Sequence, residues 1–386
     1  MALTARRAIA AVGAMCAIAL GAVASVPRQA SAAPAAAAPA SAAPAATWHV
    51  AKLLNLRHFR NLIGLTATGA SDAWAFGDGA RHPAVLHWNG STWTGSTLPG
   101  AFARPENASS TGPRNVWASG ELCNQGPPTP PGFSAYVSRW NGQAWATTKF
   151  KNMRFCAGRV VTVGRREGWL FGFYGSTRST LALHFTGGRW RLSTLGNVGQ
   201  ILAATAASAR DVWAFASGSR SRSLAVRWNG RAWRIVSLPD LHLPKGQFLD
   251  PVDARAVSAT KVWLAAEITS AGVPVLLEWN GTAWQRILVP AHNRLTNITT
   301  DGHGGVWMLG VNTAGVYWFL HYSHGTWTVQ HVPVTGIPGA PANANFNMYA
   351  IARIPGTTSV WATGDVNWLD ATNHLHAYTV IFKFGT

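Results

Sequence analysis

The stretch His87-Trp88-Asn89-Gly90-Ser91-Thr92-Trp93 sets two tryptophans around a short polar turn, and degenerate copies of it return down to the C-terminus. Asn141-Gly142, Asn229-Gly230 and Asn280-Gly281 repeat its turn, while Thr186-Gly187 and Ser323-His324 relax it. Asn-Gly accepts the positive φ values of a two-residue type I′ loop, which ordinary residues resist. With Asn89 and Gly90 as that loop, Trp88 is expected to face Ser91. Strand alternation then puts Trp88 and Trp93 on one side of the hairpin, so both rings enter one layer of core.

Outward from this hairpin, each unit reads as a short apolar strand, a small polar turn and a second strand entered through a tryptophan. Those tryptophans are Trp74, Trp117, Trp169, Trp213, Trp263, Trp307 and Trp361, spaced 43 to 54 residues apart. A third strand ends at an aromatic, Trp88, Trp140, Phe185, Trp228, Trp279, Tyr322 or Phe384. In six units a fourth-strand tryptophan follows five positions later: Trp93, Trp145, Trp190, Trp233, Trp284 and Trp327. Four short antiparallel strands repeated seven times predict an all-β fold, a seven-bladed β-propeller in which neighbouring blades bury each other's faces. The seventh unit stops at Phe384-Gly385-Thr386 without a fourth strand, whereas Thr47-Trp48-His49-Val50 has the form of one. Residues 47 to 54 are therefore expected to complete the last blade and close the ring across the termini.

The pattern Ser-x-x-Asp-Val-Trp-Ala followed by apolar-x-x-Trp-Asn-Gly-x-x-Trp, here Ser208 to Ala214 and Ala225 to Trp233, resembles repeats of secreted actinobacterial β-propeller proteins. The resemblance spans residues 47 to 386 and implies the fold and secretion. It brings no assigned activity and no catalytic residues.

The N-terminus fits that expectation. Met1 to Arg7 carries two arginines, an uncharged alanine-rich run follows from Ala8 to Val26, and Ala30-Ser31-Ala32 offers a cleavage site before Ala33. Residues 1–32 are read as a signal peptide, with an uncleaved anchor as the rival and a lipid anchor on Cys16 disfavoured by Met15 before it. Residues 33–46, all Ala, Pro and Ser, lack the apolar surface to order themselves and read as a linker. No later stretch is long enough to span a bilayer, so the expected product is a monomer, secreted and extracellular or cell-surface associated. Its net charge of +18, or +15 without Arg6, Arg7 and Arg28, favours an anionic partner, in this setting a glycan or wall polymer rather than chromosomal nucleic acid. Cys123 and Cys156 remain after cleavage, fall on one face of adjacent blades and are expected to be bridged.

Loops joining strand four to the next strand one share a face with loops joining strand two to strand three, and the candidate site is sought there. Trp368 falls outside the repeat, in Asp365-Val366-Asn367-Trp368-Leu369-Asp370-Ala371-Thr372-Asn373. A ring among carboxylates and amides is the composition of a sugar site, so Trp368, Asn367 and Asp370 are candidate ligand residues. Arg57, His58 and Arg60 should lie beside them and recognise an anionic group. Polar positions ahead of the second-strand tryptophans, Arg104, Asp250, Arg294, Asn107, Arg159, Asp253 and Asn297, should ring the channel mouth; a water-filled channel is the blander account of their polarity. Asp72 and Asp211 are assigned to turn-making through backbone N–H groups. His374 and His376 alternate on a strand, but two imidazoles do not make a metal site, and no cofactor is expected.

These observations favour a non-catalytic, lectin-like binding protein acting through its loop face. Galactose-oxidase-like chemistry would need a cysteine that the expected bridge occupies, and sialidase-like Asp-boxes are absent from the repeats. A hydrolase or lyase at the channel mouth, or a platform for another protein, stays open as an alternative.

Overall fold

The computed structural model describes residues 46–385 apart from 57, 80–82, 102, 122–132, 152–154, 175–179, 194, 197, 218–222, 270 and 291–293. The expected signal peptide and all but the last residue of the linker, together with Arg57 and Cys123, lie outside these. Seven four-stranded antiparallel sheets form the blades. Blade 1 holds β2 (Arg60–Gly69), β3 (Asp72–Asp78), β4 (Ala84–Trp88) and β5 (Trp93–Ser96). Blade 2 holds β6 (Pro105–Gly112), β7 (Asn115–Glu121), β8 (Phe133–Trp140) and β9 (Trp145–Lys151). Blade 3 runs through β10 (Phe155–Gly164), β11 (Glu167–Tyr174), β12 (Thr180–Thr186) and β13 (Arg189–Leu192). Blade 4 has β14 (Gln200–Ser208), β15 (Asp211–Ser217), β16 (Leu224–Trp228) and β17 (Trp233–Val236). Blade 5 comprises β18 (Leu249–Ser258), β19 (Lys261–Ile268), β20 (Val273–Trp279) and β21 (Trp284–Ile287). Blade 6 comprises β22 (Arg294–Thr300), β23 (Val306–Val311), β24 (Tyr317–Ser323) and β25 (Thr326–His331). Blade 7 is split: β26 (Asn345–Arg353), β27 (Val360–Leu369) and β28 (Leu375–Phe384) accept β1 (Trp48–Asn55) as the outermost strand. Trp48 pairs with Phe384 as Trp88 pairs with Trp93, so the N-terminal strand takes the fourth-strand place and closes the seven-bladed propeller.

The seven second-strand tryptophans are each at most 2 % exposed. Six of them slot between the third-strand aromatic and the fourth-strand tryptophan of the next blade. Trp74 meets Trp140 and Trp145, Trp213 meets Trp279 and Trp284, and Trp169 meets Trp228 and Trp233, at centroid distances of 5.0 to 5.4 Å. Trp307 meets Phe384 and Trp48 across the chain's seam, and Trp361 completes the circle against Trp88 and Trp93. Edge-to-face contacts of this kind add about 0.5–1.5 kcal/mol each beyond area burial.

The turn itself is built differently from its sequence expectation. Trp88 faces Trp93 rather than Ser91, and Asn89 pairs with Thr92, which leaves Gly90-Ser91 as the tip. Only Gly90 has positive φ, +97°, as a type II′ loop needs at its first central residue. Asn89 supplies Oδ1 as acceptor for the backbone N–H groups of Ser91 and Thr92, and Asn141, Asn229 and Asn280 do the same in their blades. The two blades without Asn-Gly carry the type I′ signature instead: Gly187-Gly188 at +57° and +80°, and His324-Gly325 at +49° and +80°. Pairing of the flanking aromatics fixes the tip one residue beyond the asparagine, so asparagine acts through its side chain and not through its backbone.

A second repeat layer accompanies the first. The residue before each third-strand aromatic lies opposite the second-strand tryptophan, and where it is histidine the rings stack: Trp74 on His87 at 4.0 Å, Trp169 on His184 at 4.0 Å, Trp307 on His321 at 4.3 Å. Each imidazole Nε2 then meets a carboxylate, Asp72 at 2.7 Å, Glu167 at 2.9 Å and Asp301 at 3.0 Å. Blade 4 uses Arg227, over Trp213 and bonded to Asp211. Asp72 and Asp211 therefore bind the third-strand base of their own blade, a correction to the turn-making role expected from their position. Blade 5 reverses the charges, with Lys261 at the acid's place and Glu278 at the base's, 3.1 Å apart.

Candidate functional site on the loop face

Most of the polar ring predicted around the channel mouth ties blades together. Arg159 of blade 3 donates to Asn107 Oδ1 of blade 2 at 2.9 Å, to the Leu202 carbonyl of blade 4 at 2.7 Å and to the Val252 carbonyl of blade 5 at 2.8 Å. Burial holds its guanidinium below the usual arginine range, partly opposed by the charge of Asp253. Asp253, 1 % exposed, accepts from Ala254 N–H, Arg255 Nη1 and the Ile298 N–H of blade 6. Arg104 reaches Asp78 and Glu106, and Arg294 makes a bidentate pair with Glu267 at 2.8 and 3.0 Å. Asn297 Oδ1 accepts from Ile351 N–H of blade 7. Asp365 of blade 7 accepts from Asn61 N–H, Tyr349 and Thr379, and Asn61 in turn donates to Asp78. Within this ring Asp250 keeps a buried oxygen without a partner among the described residues, and burial raises its carboxyl above the usual range. The water-filled channel that the sequence suggested is crossed at this level by Arg159.

Trp368 belongs to β27, not to a loop; it pairs with His376 and is 8 % exposed. Its ring stacks with His376 at 5.1 Å and Tyr378 at 5.9 Å on the neighbouring strand, and its burial makes Trp368 a backing wall more than a platform for a ligand. The connecting loop is only residues 370–374. Asp370 clips it by accepting from Thr372 N–H, Thr372 Oγ1, His374 N–H and His376 Nε2, and these bonds hold its carboxyl well below the usual range. Asn367 pairs with Asn345 and Ala377 in the sheet.

The two stretches that the sequence set side by side do meet. Leu53, Leu54, Asn55, Leu56 and Arg60 face His374, Leu375, His376, Ala377 and Tyr378 across a cavity of about 620 Å³. His58 stands exposed on the turn at its edge. Aliphatic walls, two imidazoles, a phenol and an arginine with no ion pair among the described residues suit a ligand with both C–H surface and an anionic group. No group of three or more His, Cys, Asp or Glu that could hold a metal occurs among the described residues.

No protein-family model matches the sequence, and no curated protein matches it. Solved structures do. YCF48 bound to D1 peptide is 15% identical, with a TM-score of 0.54, over 88% of this chain and 97% of that one. The GH74 xyloglucanase from Xanthomonas campestris is 14% identical, with a TM-score of 0.57, over 86% of this chain and 55% of that one. At this level of identity the likeness is one of fold alone.

Sequence reasoning missed a carboxylate series at the mouth. The fourth residue after the second-strand tryptophan is Asp78, Glu121, Glu267 or Asp365 in four of the seven units, a periodicity readable from the repeat once that column is aligned. Glu121 is the most perturbed. Burial, then the charge of Glu106, push its carboxyl up to about 8 against a backbone hydrogen bond from Ala157. A carboxyl whose folded pKa is raised stabilises most below its unfolded value and loses that contribution as pH climbs towards the folded one. Glu121→Gln should therefore abolish a decline of a few kcal/mol, in order of magnitude, between about pH 4.5 and 8. Urea melts across that window measure the difference, and parallel profiles for the two proteins would refute it.

Proposed function

We propose that this is a secreted, non-catalytic binding protein that recognises, in the manner of a lectin, a glycan bearing an anionic group. The cavity between Arg60 and His376 carries the proposal, because it joins a cation without an ion pair among the described residues to ring and aliphatic surface on the propeller's loop face. Arg60 would take the anionic group, His374, His376 and Tyr378 would contact hydroxyls and C–H surface, and Trp368 and Asp370 would position His376 from behind and from the side. Asn367 and His58 flank this arrangement. Screening the processed protein on a glycan array at several salt concentrations tests it. Binding that persists at high salt and drops about tenfold or more in both Arg60→Ala and His376→Ala is expected; retention of full binding in both variants would overturn the cavity's role. Secretion is part of the same reading, as is a bridge from Cys123 to Cys156, which is 4 % exposed at the start of β10. Two alkylatable thiols in unreduced protein would exclude the bridge.

A hydrolase or lyase is the second reading, favoured by Glu121, held protonated towards pH 8 near the charge of Glu106 as a general acid requires. Turnover of a polysaccharide that Glu121→Gln abolishes would favour it over binding alone.

A further inference from the structure

The other face of the ring, made by the loops joining strand one to two and the turns joining three to four, has a charge pattern of its own. Three residues before the second-strand tryptophan the chain carries Arg114, Arg166 and Arg210 in the consecutive blades 2, 3 and 4, but Ser71, Thr260, Gly304 and Thr358 in the other four. The Arg114 and Arg210 stems lie across the hairpin glycines of their own blades, so close that a Cβ on Gly142 or Gly230 would meet them at 2.6 or 2.9 Å. Ser71 and Thr260 occupy the same place over Gly90 and Gly281. Arg165 neighbours Arg166, and the third-to-fourth-strand hairpins of blades 3 and 4 add Arg189, the first residue of β13, and Arg231.

All six arginines are exposed, and none makes an ion pair among the described residues. The carboxylates of this face are already engaged within their blades: Asp211 is ion-paired with Arg227 and Glu278 with Lys261, while Asp72, Glu167 and Asp301 are each held at 2.7 to 3.0 Å by the imidazole of His87, His184 or His321. Blade 2 has Asn115 where an acid would stand, its side chain turned to the Trp117 indole. An arc of three blades thus presents cations with no carboxylate left, among the described residues, to answer them. The fully exposed large apolar side chains among the described residues are all aliphatic, and the half-buried rings beside the arc, Trp140, Trp190 and Trp228, are packed against Trp74, Trp117 and Trp169, an arrangement that favours contacts to backbone charge over the stacking of nucleic-acid bases.

We propose that this arc is a docking surface for a linear anionic polysaccharide, whose successive charged groups are taken by Arg114, Arg165, Arg166, Arg189, Arg210 and Arg231. The arginines follow the curve of the ring over three blades, which suits an extended chain better than a compact anion, and each guanidinium matches a carboxylate or sulfate in bidentate fashion. The surface is independent of the Arg60 cavity and lies on the other face, so a protein using both would hold a polymer on one side and a glycan on the other.

Titration of the whole processed protein with fluorescent heparin oligosaccharide, across a salt series, tests this. The variant R114S/R166S/R210S, which installs the small kind of residue other blades use, should bind at least about tenfold more weakly at low salt. Its slope of log affinity against log salt should be shallower by roughly 2 to 3, one counterion per lost contact. A second variant, R165S/R189S/R231S, touches positions without the glycine packing and should show a similar loss, which guards against misfolding of the first. The charge-matched control K52S/K245S/R286S alters other regions. Equal loss in that control would reduce the effect to bulk charge and overturn the surface. Unchanged binding in both test variants, loss on Arg60→Ala alone, or equal affinity for a single-stranded oligonucleotide would overturn it as well.

Discussion

Deleting residues 46–55 should lower the melting temperature by about 10 °C or more and broaden the transition, although it removes one strand of the 28 among the described residues. The strand pairs with β28 over its length, from Trp48 opposite Phe384 to Asn55 opposite Tyr378. Trp48 is 6 % exposed, stacks on Phe319 at 3.7 Å and meets Trp307 edge-on at 5.5 Å. Truncating a buried large aromatic costs about 3–5 kcal/mol, so Trp48→Ala alone should account for a large share of the loss. The deletion also strips the cover from blade 6, because Phe319 and Trp307 belong to that blade and not to the strand's own. Scanning calorimetry of the two variants beside the parent protein measures both effects. A melting temperature that does not move would mean that the ring is closed without β1.

Asp253→Ala should cost about 3–5 kcal/mol, the largest loss expected from a single polar substitution in the molecule. The carboxylate is 1 % exposed and holds the Ile298 N–H of blade 6, its own neighbour's N–H and Arg255. Its charge also offsets the burial of Arg159, whose guanidinium bonds across to blades 2, 4 and 5. Removing it leaves a desolvated cation and two unanswered backbone donors near the ring's axis. Asp253→Asn keeps an acceptor but not the charge, and should cost less. Urea unfolding of both variants gives the comparison; a change below about 0.5 kcal/mol for the alanine variant would show that water replaces the carboxylate there.

The architecture was legible because its determinants are large and periodic. Tryptophans at fixed offsets encode blade packing directly, and Trp48 in isolation at the N-terminus was enough to place the closing strand. The hairpin's inner geometry was not, since Asn-Gly propensity yields to the stronger demand that Trp88 oppose Trp93. Trp368 misled for a related reason: polar neighbours such as Asp365 and Asn367 look like a loop in sequence, whereas in the sheet they continue β27, Asp365 buried and Asn367 half-buried between Val366 and Trp368. The pairing of Asp72 with His87 spans a strand and a turn, so neither residue alone announces it. The Arg60 cavity could be anticipated only from ring topology, which brings residues near 55 and 375 together.

The split seventh blade also fixes an order of events. Of the propeller's strands, the first to be made has its partner in the last, and the whole ring lies between Trp48 and Phe384. Throughout synthesis the chain is an open arc whose end blades show bare aromatic faces, and no native closure is available to it. Completion waits for β28, Leu375–Phe384, and the separation of β1 from β28 in sequence gives their contact a high loop-closure cost. A ring built this way stays unlocked until its last strand, β28, has been made.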